Sequence, residues 1–293
     1  MILEKQIIVQ ETGVAWAQSN KTGGDWHAFC VTPTGRIIAG SNSGTGIWYS
    51  DDNGINWTQS NKSSGSWGAL CVTSVGRIIA ANYDSDGIWY SDDNGINWTQ
   101  SNKTDGTWGA LCVTSAGRII AVSYYSGGIW YSDDNGVNWS RSNKTDGSWG
   151  ALCVTSAGRI IAGSNSYYSD GIWYSDDNGI NWTQSNKTDG TFYAVCVTQT
   201  GRILAGSTVG IWYSDDNGIN WTQSNKTDLY WAVLCVTQTG RIVAGSDSSA
   251  GGIWYSDAII GTKNDYSSKP LTGAQARQLV AECKEYVQEL KQS

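Results

Sequence analysis

The chain has 293 residues, with 36 Gly, 2 Pro, 17 Trp and only 2 Phe, a skew that reflects one unit copied many times. Its 19 basic and 26 acidic residues give a net charge of −7, which argues against a nucleic-acid footprint or an anionic membrane surface. No apolar run reaches the length of a membrane span, so neither nucleic acid nor membrane insertion is expected.

The first ten residues, Met1 to Gln10, lack a basic start, a long apolar run and a small-residue cleavage site. They read as a strand rather than a signal peptide. Next comes Gly13 to Asn20, whose Trp16 is the first of a series. Trp16, Trp57, Trp98, Trp139, Trp182 and Trp221 are separated by 41, 41, 41, 43 and 39 residues. A period near forty holding four short apolar runs is the pattern of a propeller blade. The unit centred on Trp108 predicts strands over 108–114, 118–122, 128–132 and 138–142, with β-branched and aromatic residues lying between Gly and Asn clusters.

Six sets of the first three strands start at Trp26, Trp67, Trp108, Trp149, Phe192 and Trp231, but only five carry their own fourth strand. The sixth stops at Ser256, and residues 13–20 match the missing piece. A strand from the amino terminus would complete the last blade and cover a sheet edge. The expected fold is therefore all-β: a six-bladed β-propeller over residues 1–262, closed by the N-terminal strand. Residues 263–293 read as a linker and a C-terminal amphipathic α-helix. Thr272 to Gln275 forms a capping box there, and Ala276, Leu279, Val280, Cys283, Val287 and Leu290 recur on one face. That helix either docks on the propeller or mediates self-association as a homo-oligomer.

One octapeptide organises each unit. It pairs Ser50, Asp52, Gly54 and Trp57, then Ser91, Asp93, Gly95 and Trp98, then Ser132, Asp134, Gly136 and Trp139. It returns as Ser175, Asp177, Gly179 and Trp182, and as Ser214, Asp216, Gly218 and Trp221. The pattern Ser-x-Asp-x-Gly-x-x-Trp resembles the Asp-box, or BNR repeat, of sialidase-like β-propellers. The usual motif prefers Thr before the Trp, whereas this chain has Asn56, Asn97, Asn138, Asn181 and Asn220. A tight turn needs a glycine for positive φ, the Ser and Asp oxygens accept from unpaired N–H groups, and the Trp fixes the turn to the core. Asp51, Asp52 and Asn53 also suggest a calcium loop, but the later bidentate Glu is missing, so the box reads as scaffold.

Cys30, Cys71, Cys112, Cys153, Cys196 and Cys235 recur once per unit, too far apart on separate blades for disulfides. They read as small apolar residues made in a reducing compartment. No CxxC or Cys/His pairing suggests zinc, His27 is the only histidine, and no cofactor is implied.

Antiparallel succession puts the second-to-third-strand loops and the inter-blade loops on one face. That face varies between copies. Its loops carry Tyr83 and Asp84, Tyr124 and Tyr125, and Tyr167 and Tyr168. The inter-blade ends add His27, Tyr193 and Tyr230. Tyrosine among small polar residues is the composition of binding loops, although solvated loops without a ligand have it too. Trp26, Trp67, Trp108, Trp149 and Trp231 open the innermost strands on this face. They either stack on a sugar ring or pack between blades as core.

The resemblance to sialidases implies a Tyr/Glu nucleophile pair, an Asp acid/base, an arginine triad and an Arg-Ile-Pro segment. Here Arg36, Arg77, Arg118, Arg159, Arg202 and Arg241 are followed by Ile and then Ile, Leu or Val, on the face away from the variable loops. Every Glu (Glu4, Glu11, Glu282, Glu285, Glu289) lies outside the blades. Near-sixfold symmetry also opposes a catalytic site, which needs unlike groups at one locus. No catalytic residue is expected. The leading reading is a non-enzymatic, multivalent, lectin-like propeller that binds a surface glycan or polysaccharide. The alternatives are a protein-receptor-binding or display module, an amplified repeat with no ligand site, and a glycoside hydrolase using two Asp carboxylates.

Overall fold

The computed structural model describes residues 18–125, 127–166, 170–237, 240–246 and 252–256. The chain divides into two compact units, Met1–Asp257 and Ala258–Ser293, and the second lies outside the described residues, as do residues 1–17. The helix expected within 263–293 and most of the N-terminal strand therefore fall outside this description.

Six antiparallel sheets follow one another along the first unit, each a simple meander. The third is representative, with strands Trp108–Val113, Ile119–Ser123, Ile129–Ser132 and Ser140–Arg141. Five sheets have four strands, and the sixth has three among the described residues, ending with Gly252–Ser256. The first strands of successive sheets lie beside one another, as in a propeller.

The core sits between sheets, and the two-residue strand period explains how one strand serves two interfaces. Ile119 and Ala121 point back to Ile79 and Ala81 of the second sheet. Ile120 and Val122 point forward to Ile160 and Ala162 of the fourth. The second strand is thus buried on both faces and reads as a continuous apolar run. Each fully buried Ile contributes roughly 1.5–3 kcal/mol. Trp98, Trp139, Trp182 and Trp221 of the octapeptide are buried in these same interfaces.

The two terminal faces are different. On the first sheet Phe29 and Val31 are 56% and 63% exposed, and on the sixth Val233, Ile253 and Tyr255 are 61%, 82% and 66% exposed. These are the positions that pack between every other pair of neighbours, and among the described residues nothing covers them.

The fourth strand is also shorter than the pattern 138–142 predicts. Asn138 spends its amide and its side chain on Asp134, at 2.8 and 2.7 Å, which leaves only Ser140 and Arg141 to pair with Tyr131 and Trp130. The octapeptide turn consumes the start of the strand.

Candidate binding face

The octapeptide is a closed network. Ser91 Oγ donates to Asp93 Oδ1 at 3.0 Å and accepts from Gly95 N at 2.9 Å. Asp93 also accepts from the Asn97 amide at 2.8 Å and from Asn97 Nδ2 at 2.7 Å. Asn94 and Gly95 both take positive φ, 63° and 88°, the pairing of a type I′ turn. The Asn that stands where the usual motif has Thr therefore binds the box carboxylate through its side chain. Desolvation works to raise the Asp93 carboxyl, but the bonds from Asn97, Ser91 and Ile96 together outweigh it and hold the group below the usual carboxylate range.

The preceding carboxylate is engaged as well. Asp92 accepts two bonds from Arg77, at 2.6 and 2.8 Å, while Arg77 Nη1 reaches the Asn135 carbonyl of the next sheet at 3.2 Å. With both carboxylates taken, the Asp pair presents no convergent oxygen shell for a cation. Among the described residues no group of three or more His, Cys, Asp or Glu side chains is placed to hold a metal.

Each first strand carries a bulge after its first residue, which leaves His27, Gly68, Gly109, Gly150, Tyr193 and Ala232 as the extra residues. A tyrosine lies over two of the glycine bulges, Gly68 and Gly109, and Asn165 lies over the third, Gly150. A Cβ on Gly68 or Gly109 would stand 3.2 Å from Tyr83 or Tyr124 respectively. The loop start is tied to the inter-blade loop by main-chain bonds, Tyr83 N to Ser66 O at 2.7 Å and Tyr124 N to Thr107 O at 2.8 Å. Both variable loops of a sheet thus meet at one end of it.

These ties bring tyrosines of neighbouring sheets together. Tyr83 and Tyr124 have ring centroids 4.8 Å apart, and Tyr125 stands edge-on to Tyr124 at 5.0 Å. Tyr193 and Tyr230 form a second pair at 4.5 Å, across sheets five and six. Tyr125 is 64% exposed, whereas Tyr83 and Tyr124 are half-buried. Desolvation, then the neighbouring tyrosines, push the Tyr83 phenol well above its ordinary range. Beside it the exposed Asp84 carboxylate accepts from Ser66 Oγ, and the Asp84 amide donates to Asn82 Oδ1 at 2.7 Å. His27 is exposed, with Nε2 3.3 Å from Asp25. Tyr167 and Tyr168 lie outside the described residues.

The tryptophans that open the inner strands take the other of their two readings. Trp67, Trp108, Trp149 and Trp231 are at most 1% exposed, and Phe192 is fully buried, so no sugar ring reaches them. The third-strand indoles are covered from within. Lys62 Nζ lies 3.6 Å from the Trp89 centroid and 2.7 Å from Asp86, and Lys144 lies 4.3 Å from Trp173. Trp26 alone of the five is half-buried, and it lines a 220 Å³ cleft with Lys21, Phe29 and Trp57 on the uncovered face of sheet one.

The lysine stack recurs in each unit but does not stand out in the sequence, and the asparagine at the box reads there only as a departure from Thr. Repetition marked them without saying what they touch.

Five segments, residues 48–59, 89–100, 130–141, 173–184 and 212–223, match the BNR/Asp-box repeat. Against curated protein sequences the chain finds no match. Among solved structures it is similar to virginiamycin B lyase from Staphylococcus aureus, with a TM-score of 0.63 and 12% identity, covering 81% of this chain and 86% of that one. It is similar also to a gluconolactonase from Xanthomonas campestris (TM-score 0.55, 12% identity, 80% and 86% covered). A Niastella koreensis GH74 enzyme gives a TM-score of 0.58 at 19% identity, covering 81% of this chain and 37% of that one. At such identities the likeness is one of fold.

Proposed function

We propose that this BNR/Asp-box repeat β-propeller is a non-enzymatic carbohydrate-binding protein whose ligand rests on Tyr83, Tyr124 and Tyr125. The observation that carries the reading is the tyrosine cluster itself. Two neighbouring sheets deliver aromatic rings to one exposed spot over glycine bulges that leave them room. Rigid aromatic contact area flanked by Asp84 and Ser66 suits a ring with an apolar face and hydroxyl edges. The solved relatives include enzymes by name, yet the described residues hold one histidine and no glutamate, so a catalytic carboxylate pair would have to be built from Asp.

The same reading includes a closed six-bladed ring. Asn20 supports it. Its amide donates to Ile55 O at 3.1 Å and its Oδ1 accepts from Trp57 N at 2.8 Å, as Asn61 does toward Ile96 and Trp98 at 3.0 Å each. Asn61 follows the fourth strand Thr58–Gln59 by two residues, so Asn20 holds toward sheet one the place that Asn61 holds toward sheet two.

A glycan array of the full chain, followed by titration of the best oligosaccharide into Tyr125→Ala, tests the function. The variant is expected to lose about tenfold in affinity with its melting temperature unchanged, since an exposed ring contributes to the ligand rather than the fold. A silent array with folded protein overturns the carbohydrate reading and favours a protein receptor.

A further inference from the structure

The repeats allow one sheet to be compared with its neighbours, position by position. The residue two before each third-strand Ile is Asp86 in sheet two, Gly127 in sheet three and Asp170 in sheet four. Its carbonyl does the same work throughout, accepting from Trp89, Trp130 and Trp173 Nε1 at 2.8, 3.0 and 2.8 Å. Only the side chain changes: sheets two and four carry a carboxylate there, whereas sheet three has Gly127 and sheets one and five have Thr45 and Val209.

A second change falls at the same spot. The last residue of the fourth strand is Gln59, Gln100, Gln184 and Gln223 in four sheets, and Arg141 in the third. Each glutamine bridges to the loop carbonyl, as Gln100 Nε2 does to Asp86 O at 3.0 Å. Arg141 instead sends Nη2 to Thr145 O at 2.5 Å, and its other N–H groups make no hydrogen bond among the described residues. Both changes move the local charge the same way. Sheet two sets Lys62 against Asp86, and sheet four sets Lys144 against Asp146 with Asp170 close by. Sheet three sets Lys103 and Arg141 against Asp105, and Arg141 shares the nearby Asp146 with Lys144, which bonds it at 2.7 Å.

Between these groups lies a cleft of 350 Å³ lined by Lys103, Asp105, Tyr125, Gly127, Trp130 and Arg141. Its loop is tied down: Ser123 Oγ donates to Tyr125 O at 3.1 Å and accepts from Gly127 N at 3.2 Å. Tyr125 belongs to both the cleft and the tyrosine cluster, so the two form one continuous surface.

We infer that this cleft binds the carboxylate of an acidic sugar unit, held by the Arg141 fork and Lys103, while adjoining neutral units lie on the tyrosines. The sugar in this assignment rests on the carbohydrate-binding reading above, whereas the anion rests on the charge and space of sheet three. A planar carboxylate matches the guanidinium fork, and the missing Asp side chain at Gly127 removes the group that would repel it.

The test titrates the full chain by calorimetry with an oligogalacturonate and with its neutral methyl ester. The acid form is expected to bind about tenfold more tightly, with the difference shrinking as salt rises. Arg141→Gln restores the residue of the other sheets and so keeps the fold; it is expected to erase that preference and leave ester binding unchanged. Equal binding of acid and ester by the unaltered chain, or a preference that survives Arg141→Gln, overturns the cleft assignment alone. Binding of neither overturns the carbohydrate reading and this assignment with it.

Discussion

Gly136 sits at φ +85° with its missing Cβ 2.6 Å from Ile79 Cδ1 of the preceding sheet, so one position serves both a turn and an interface. Gly117 has nearly the same φ, +83°, but open space around it. Alanine at Gly117 meets only the left-handed backbone penalty, about 1 kcal/mol, whereas at Gly136 overpacking is added, for about 3 kcal/mol in all. Urea midpoints of Gly117→Ala and Gly136→Ala should rank in that order; equal costs would mean that Ile79 gives way freely. From sequence these glycines were legible as turn residues. That the one in the box also abuts an isoleucine from another sheet was not, because a neighbour as distant in the chain as Ile79 leaves no local mark.

At the scale of the element, the octapeptide turn has a pH signature. In Asp93, Asp134, Asp177 and Asp216 desolvation raises the carboxyl, but the hydrogen bonds from the following Asn, the preceding Ser and nearby amides prevail and the net shift is downward. A carboxyl whose folded pKa is depressed adds stability above its unfolded value near 3.8 and loses it as pH falls through the folded value. Acid destabilisation should therefore begin near pH 4 and continue below it. Asp134→Asn should lower the unfolding free energy from urea titration at pH 7 by about 1 kcal/mol and narrow the gap to the unaltered chain near pH 2. A constant gap across that range would sink the account. The existence and order of the strands could be read from the period alone, since period-two burial and turn residues repeat in register. The length of the fourth strand could not, because Asn138 is as compatible with a strand as with the turn that claims it. The tryptophans split for a related reason: an indole at a strand start reads alike as platform or core until the lysine from the preceding loop is placed against it.

For the molecule as a whole, five like interfaces and two faces that no described residue covers define the question. The forward face of sheet six (Val233, Ile253, Tyr255) carries the groups that sheets one to five bury, and the backward face of sheet one (Phe29, Val31, Trp57) carries their usual counterparts. Cys235 reports on the seam. It is exposed, while burial pushes the Cys112 thiol up to about 12 and the Cys71 thiol well above its ordinary range. A closed ring should protect Cys235 from alkylation as fully as Cys112, read by peptide mass mapping of the native chain. Fast selective labelling of Cys235 would overturn closure. The tyrosine cluster bears on neither outcome, because sheets two and three lie away from the seam.

Interchangeable interfaces also set a kinetic choice during synthesis and refolding. The uncovered face of one chain's sixth sheet fits the first sheet of any other copy as well as its own, which is a heterologous, head-to-tail match. Under the closed-ring proposal, joining its own partner proceeds at the millimolar effective concentration of a tethered pair, which favours closure in dilute solution. Crowded nascent chains face the opposite balance, and their characteristic misassembly is an open-ended string of correctly folded sheets.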